Sequence, residues 1–368
     1  MSKRILFTTE TLSLGGIQRV TSVIVNALYR HGKDVTLYCL DNAKQDFYHV
    51  DAPVVRFDST GKRYIKNQFF RLLKLFSEGK VMSLWQTHFL KYLDDNKINT
   101  VVLNPHFFHL VPKIKEFCPS IRIYLWMHNN FDMYVETKKY FNDRDSLLQF
   151  AKKADGIICL EKYSCEKWSQ YNANSFVLHN PITLDPHHSV ADMDSHVISF
   201  TSRLTIEQKG LDYLIAIART LPEPWYINVA GTGVDKNRFL DLIQRAHVEN
   251  KIILRGALQG QDLLDHYLKS SIFLMTSRWE GFSLVSAEAM SVGLPIVAFD
   301  IPALCEVTDD GRYALLAHDG DVEDFCRQVG KLISSVKLRR EYSALSLERA
   351  RSFSLETIVS EWKRIVDE

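Results

Sequence analysis

Residues 278–295 read RWEGFSLVSAEAMSVGLP and set two carboxylates, Glu280 and Glu288, in a run of small and apolar residues. A lone glutamate on a helix is ordinarily a solvated face residue. Here Ser283 is placed to cap a helix whose apolar positions are Leu284, Val285, Ala287 and Met290, with Gly293 as its stop and Pro295 beyond. Glu280 then falls in the loop before the helix and Glu288 in its body. An acid beside a helix start that attracts anions points to a polar ligand shared there. Two cations, Arg203 and Lys209, lie in SRLTIEQKG, a loop at the carboxyl end of a buried strand, where open α/β sheets bind ligands. Surface ion pairing is the competing reading for them. A histidine, His128, ends the strand segment that runs into WMHNNF. The spacing in HFFH (His106 and His109) mimics a metal pair, but no third ligand accompanies it and no metal site is expected.

These residues need a scaffold that puts loops side by side, and the hydrophobic pattern supplies one. Strands alternate with amphipathic helices almost from end to end, which is parallel α/β architecture. In the first half RILFTT, DVTLYCL, TVVLN, RIYLWMH, DGIICL and SFVLH read as strands, and Ile17, Val20, Ile24, Ala27 and Leu28 form a helical stripe between the first two. After Asn180-Pro181 the stretch DPHHSVADMDSH turns polar, as an interdomain linker would. The alternation then restarts with HVISFT, YINVAG, KIILRG, SIFLMT and LPIVAF as five buried strands. The tail SLETIVSEWKRIVDE is a last amphipathic helix. With 368 residues, two domains are expected.

Composition narrows the class further. The chain is 46% hydrophobic and 24% charged, which excludes disorder, collagen and coiled coil. The six cysteines show no CxxC pairing and read as reduced thiols. No apolar run is long enough for a membrane span, and MSKRILFTTE enters a strand without a signal peptide, so a cytoplasmic location is expected. Residues 1–185 hold 25 basic and 18 acidic side chains, and the remainder 20 and 26, so the halves differ in sign. Residues 62–91 are basic and aromatic-rich, with seven cations against Glu78. One reading is peripheral contact with an anionic membrane; the other is an apolar face packed on the first sheet. Nothing in the pattern indicates a nucleic-acid partner.

The segment EGFSLVSAEAMSVGLP resembles the ExxxxxxxE signature of the retaining GT-B glycosyltransferases, in particular family 4 (glycosyl transferases group 1). The resemblance extends over nearly the whole chain, because TLSLGGIQRV, WMHNNF, SRLTIEQKG, AGTGV and LRGAL follow in the family's order. It implies two tandem Rossmann-like, doubly wound domains facing across a cleft, with 1–185 binding the acceptor, 186–350 binding the nucleotide-sugar donor, and a C-terminal helix (351–368) packing back on the first domain. It also implies roles. Gly15 and Gly16 would lie over the donor diphosphate with Arg19 near the cleft; Arg203 and Lys209 would hold the leaving diphosphate without a metal. His128 would sit near the reacting sugar, with Asn129 standing where the family often has Asp. Glu280 would face the donor sugar and Glu288 the ribose. Gly281, Phe282 and Ser283 would offer backbone N–H groups, and Gly231, Gly233, Arg255 and Gly256 would line the nucleotide pocket. The family's Gly-rich turn after the last core strand is absent from IPALCEVTDDGRYALL.

The expected activity is metal-independent, retaining transfer of a hexosyl unit, from a UDP-hexose in the first instance and GDP-mannose in the second, to a glycan or lipid-linked acceptor of surface polysaccharide synthesis. No cofactor beyond the nucleotide sugar is expected. Alternatives on the same fold are an epimerase, a phosphorylase, for which no cofactor lysine is evident, and a non-catalytic sugar-nucleotide-binding partner of another transferase. A nicotinamide oxidoreductase is disfavoured by the missing GxGxxG.

Overall fold

The computed structural model describes residues 3–41, 46–57, 82–137, 141 and 143–367. Most of the basic aromatic segment, residues 62–81, lies outside them. The chain forms two compact units, one made of Met1–Leu178 with Val359–Glu368 and the other of His179–Ile358.

The first unit is built on a parallel sheet of strands β1 (Arg4–Thr9), β2 (Asp34–Cys39), β3 (Val54–Arg56), β4 (Thr100–Leu103), β5 (Arg122–Trp126), β6 (Gly156–Cys159) and β7 (Ser175–Val177), in the order β3-β2-β1-β4-β5-β6-β7. Strands β4, β5 and β6 are apolar runs because both faces of a parallel sheet are covered. The helix Gly16–Arg30 buries Val20, Ile24, Val25, Ala27 and Leu28 and stops at Gly32, whose φ of 75° lets Lys33 N–H reach back to the Leu28 carbonyl at 3.1 Å. The last helix, Leu355–Asp367, brings Trp362 into this unit's core, with ring centroids 5.2 Å from Phe7 and 4.9 Å from Trp126. Lys33 pairs with Asp367 at the end of that helix, at 2.5 Å.

The second unit repeats the plan with β8 (Val197–Thr201), β9 (Tyr226–Ala230), β10 (Ile252–Gly256), β11 (Ile272–Met275), β12 (Ile296–Phe299) and β13 (Leu315–Ala317), in the order β10-β9-β8-β11-β12-β13. KIILRG, read as a buried strand, is the edge strand β10 and half-exposed; β13 follows from the short LLA, too brief for periodicity to show. The polar stretch 185–196 also departs from expectation. Ala191 N–H bonds the Val292 carbonyl at 2.8 Å, Asp192 N–H bonds the Leu268 carbonyl at 3.0 Å, and the Met193 carbonyl accepts from the buried Arg339 guanidinium at 2.8 Å. The stretch is therefore part of the second unit, whose division from the first lies between Leu178 and His179. No described helix is long and apolar enough to cross a membrane.

Candidate active site

In the second sheet the strand order reverses between β8 and β11, so the loops leaving their carboxyl ends diverge around a crevice. Those loops hold Arg203, Lys209, Glu280, Gly281, Phe282 and Ser283. They are bound to each other directly: Arg278 N–H donates to the Gln208 carbonyl at 2.9 Å and the Thr276 hydroxyl to the Lys209 carbonyl at 2.8 Å. Gly210, with φ 60°, sits so close to the second loop that a Cβ there would lie 2.0 Å from the Thr276 carbonyl oxygen. Across this junction the Lys209 ammonium donates to Glu280 Oε1, and the Ser277 hydroxyl donates to the same oxygen at 2.7 Å. Both side chains of the pair are nearly buried, at 12% and 9% exposure. Arg278, next along, forms a bidentate pair with Asp212 at 2.9 and 2.6 Å and lies 4.0 Å over the Tyr213 ring, which fixes the loop's outer side.

Arg203 shares the first loop with Lys209 but is exposed, and its guanidinium makes no ion pair among the described residues. Behind it, Gly231 (φ 150°) lets the loop after β9 press on the loop after β8: a Cβ at Gly231 would meet the Ser202 carbonyl oxygen at 1.8 Å. Gly233 lies against Leu204 in the same way, and Gly231 N–H bonds the Gly256 carbonyl at 2.7 Å. Arg255 is exposed and its Nε donates to Asn228 at 2.9 Å.

The helix after Glu280 spans Leu284–Ser291. Gly281, Phe282 and Ser283 are buried at its start. Ser283 occupies the cap position, yet its hydroxyl meets that of Ser286 at 2.7 Å and makes no side-chain cap bond. Glu288 is fully buried in the body of the helix and accepts from the Thr183 hydroxyl at 2.7 Å. The two glutamates thus differ in the contacts of Oε1: in Glu280 it accepts from a cation and a hydroxyl, in Glu288 from the Thr183 hydroxyl.

In the first unit the reversal lies between β1 and β4. Gly15 and Gly16 follow β1 at the start of the helix Gly16–Arg30; Gly15 is extended, with φ 177°, and a Cβ on Gly16 would meet nothing within 4 Å. A Cβ on Gly15 would meet the end of the Gln18 side chain, at 2.3 Å from Oε1. Arg19 is half-buried in the helix's first turn. His128 follows β5 and is joined at Nε2 to Asn104 Oδ1 at 2.7 Å, while its ring lies 4.6 Å from that of Trp126. Burial pushes its pKa down to about 3, so the imidazole is neutral at pH 7. Asn129 beside it is partly exposed. His106 and His109 have separate partners, Glu10 at 3.7 Å and Gln86 at 2.9 Å, and no cluster of metal-binding side chains occurs among the described residues.

Four contributors escaped the sequence reading: Ser277, Thr183, Asn104 and Thr8. The available signal was a polar residue closing an apolar strand, as Asn104 closes TVVLN and Thr8 and Thr9 close RILFTT.

A model of the glycosyl transferases group 1 family matches residues 195–335. The chain is 24% identical over 378 residues to an uncharacterized glycosyltransferase of Haemophilus influenzae, covering 100% of each. It is 25% identical over 376 residues to the amylovoran biosynthesis glycosyltransferase AmsD of Erwinia amylovora, again covering 100% of each. Among solved structures it resembles HepE of Anabaena in complex with UDP and glucose, with a TM-score of 0.78 and 16% identity over 99% of each chain.

Proposed function

From a chain of GT-B fold whose residues 195–335 match the glycosyl transferases group 1 and whose full-length relatives are glycosyltransferases, we propose a retaining hexosyltransferase that uses a UDP-hexose and extends a surface polysaccharide or its lipid-linked precursor. The observation that carries the reading is the Lys209–Glu280 pair, held by two mutually bonded loops at the point where the second sheet reverses. The UDP and glucose in the Anabaena structure favour the donor class, and the amylovoran enzyme favours the acceptor class.

In this mechanism the bond from the anomeric carbon to the diphosphate breaks and a bond to an acceptor hydroxyl oxygen forms on the same face, the hydroxyl proton passing to the departing phosphate oxygen. Arg203, exposed and without an ion pair among the described residues, and Lys209 stabilise the diphosphate charge as it develops. Glu280 orients the donor sugar. Its Oε1 already accepts from Lys209 and Ser277, and a carboxylate so held is a poor nucleophile, which favours departure and attack on one face over a covalent intermediate. Glu288 accepts from ribose hydroxyls, in place of or beside the Thr183 hydroxyl it now holds.

The test is nucleotide release from a panel of UDP- and GDP-sugars by the purified protein, with undecaprenyl-linked and free glycan acceptors. UDP release with a new α-linkage from an α-linked donor is the expected result. Preference for GDP-mannose would move the donor to the mannosyl class, and tight donor binding without turnover on any acceptor would replace the enzyme by a binding partner.

A further inference from the structure

Both amide hydrogens of Asn104 are committed, and that fixes the chemistry of His128. The asparagine is 3% exposed at the carboxyl end of β4. Its Nδ2 donates to the Thr8 carbonyl oxygen at 2.6 Å and to Thr21 Oγ1 at 3.1 Å, and its backbone N–H donates to Thr8 Oγ1 at 2.9 Å. Thr8 and Thr21 are themselves fully buried. A carbonyl oxygen only accepts, so the amide nitrogen must face Thr8; with the amide turned over, two acceptor oxygens would oppose each other at 2.6 Å. The amide oxygen therefore faces His128, and that oxygen also only accepts. The hydrogen between Asn104 Oδ1 and His128 Nε2, 2.7 Å apart, belongs to the histidine.

We propose that Asn104 is a positioning residue: it locks His128 as the Nε2–H tautomer and leaves Nδ1, with its lone pair, as the ring atom available to a ligand. Burial pushes the His128 pKa down, so the ring is neutral in the folded chain and one of its nitrogens keeps a lone pair. His128 then serves a bound hydroxyl as a hydrogen-bond acceptor and does not donate a proton through Nδ1. The ligand half of this inference rests on the proposed transferase function; the tautomer half does not.

The decisive experiment is a long-range proton–nitrogen correlation spectrum of the nitrogen-labelled protein at pH 7, with His128 identified by its disappearance in His128→Gln. One pyrrole-type Nε2 and one pyridine-type Nδ1 are expected. An Nδ1–H tautomer, an averaged pair or an imidazolium pattern would overturn the inference. In Asn104→Ala the His128 nitrogens are expected to average between tautomers, and, with a donor that the wild type turns over, kcat to fall roughly tenfold to a hundredfold with donor KM little changed. An unchanged single tautomer in that variant, or an unchanged kcat despite averaging, removes Asn104 from the positioning role. If the variant does not fold, the wild-type spectrum still decides the tautomer, and if no donor is turned over, the transferase reading fails while the spectrum stands on its own.

Discussion

Each unit places polar groups where its sheet reverses, but of opposite kinds. At the β1/β4 end the groups are neutral: Thr8, Thr21, Asn104 and His128 are joined by hydrogen bonds through both Asn104 amide hydrogens and its amide oxygen. At the β8/β11 end they are charged, with Lys209 and Glu280 nearly buried against each other and the Ser277 hydroxyl donating to the same carboxylate oxygen. A satisfied neutral network is inexpensive to bury and aims its members; a buried ion pair holds only while both charges are present. The first arrangement suits a group that must point one way. The second suits cations that must meet a charge appearing during reaction.

The largest expected effect comes from breaking the charged end. Lys209→Met should lower kcat by about 100- to 1,000-fold, as loss of a leaving-group contact does, and should cost about 3–5 kcal/mol of stability by leaving Glu280 buried without its cation. Urea unfolding and nucleotide-release rates read the two losses separately. Adding Glu280→Gln should return most of the stability and none of the activity; recovery of turnover in the double variant would mean that the pair is structural.

The two glutamates sharpen the comparison within the second unit. Glu280→Gln should act mainly on kcat, whereas Glu288→Gln, altering a residue paired with a neutral hydroxyl, should raise donor KM or Kd by about tenfold, the scale of one lost hydrogen bond. Equal effects of both on kcat alone would assign them one role.

The smallest effect is in acid. His128 has its pKa pushed down to about 3 by burial, and His266, bonded to Ser199 at 2.7 Å, is pushed down to about 4 by burial first and then by Arg255. Both are neutral in the folded chain and take up a proton near pH 6.5 on unfolding. Their contribution to stability is therefore whole above pH 6.5 and is lost as the pH falls from there toward 4 for His266 and toward 3 for His128. Each adds up to about 1.4 kcal/mol per pH unit to the slope in that window. Urea midpoints between pH 7 and 5 should fall less steeply in His128→Asn and in His266→Asn than in wild type; an unchanged slope would mean that the ring is not held neutral.

Much of this was legible in the sequence, and the limits have physical causes. Runs such as ILF, VVL, IFLM and IVAF announce strands buried on both faces. Three-residue strands such as Val54–Arg56 and Leu315–Ala317 are shorter than any period. Sheet order is not in the pattern either, so nothing marked KIILRG as an edge. Glu280 and Lys209 were visible as candidates through the family motif, but their contact joins positions 71 apart and follows only from β8 and β11 being neighbours. Asn104 and Thr8, 96 apart, meet because β1 and β4 pair. The segment 185–196 misled because its polarity hid backbone groups that bond to Val292, Leu268 and Arg339.

Residues 359–368 complete the first unit, with Trp362 between Phe7 of β1 and Trp126 of β5. This sets an order of events during synthesis. The second unit, His179–Ile358, is continuous and has its whole sequence before residues 359–368 are made, whereas the first, begun earlier, lacks a fully buried tryptophan worth about 3–5 kcal/mol until those residues follow. Of the two units, the one that starts first is thus the one that closes second.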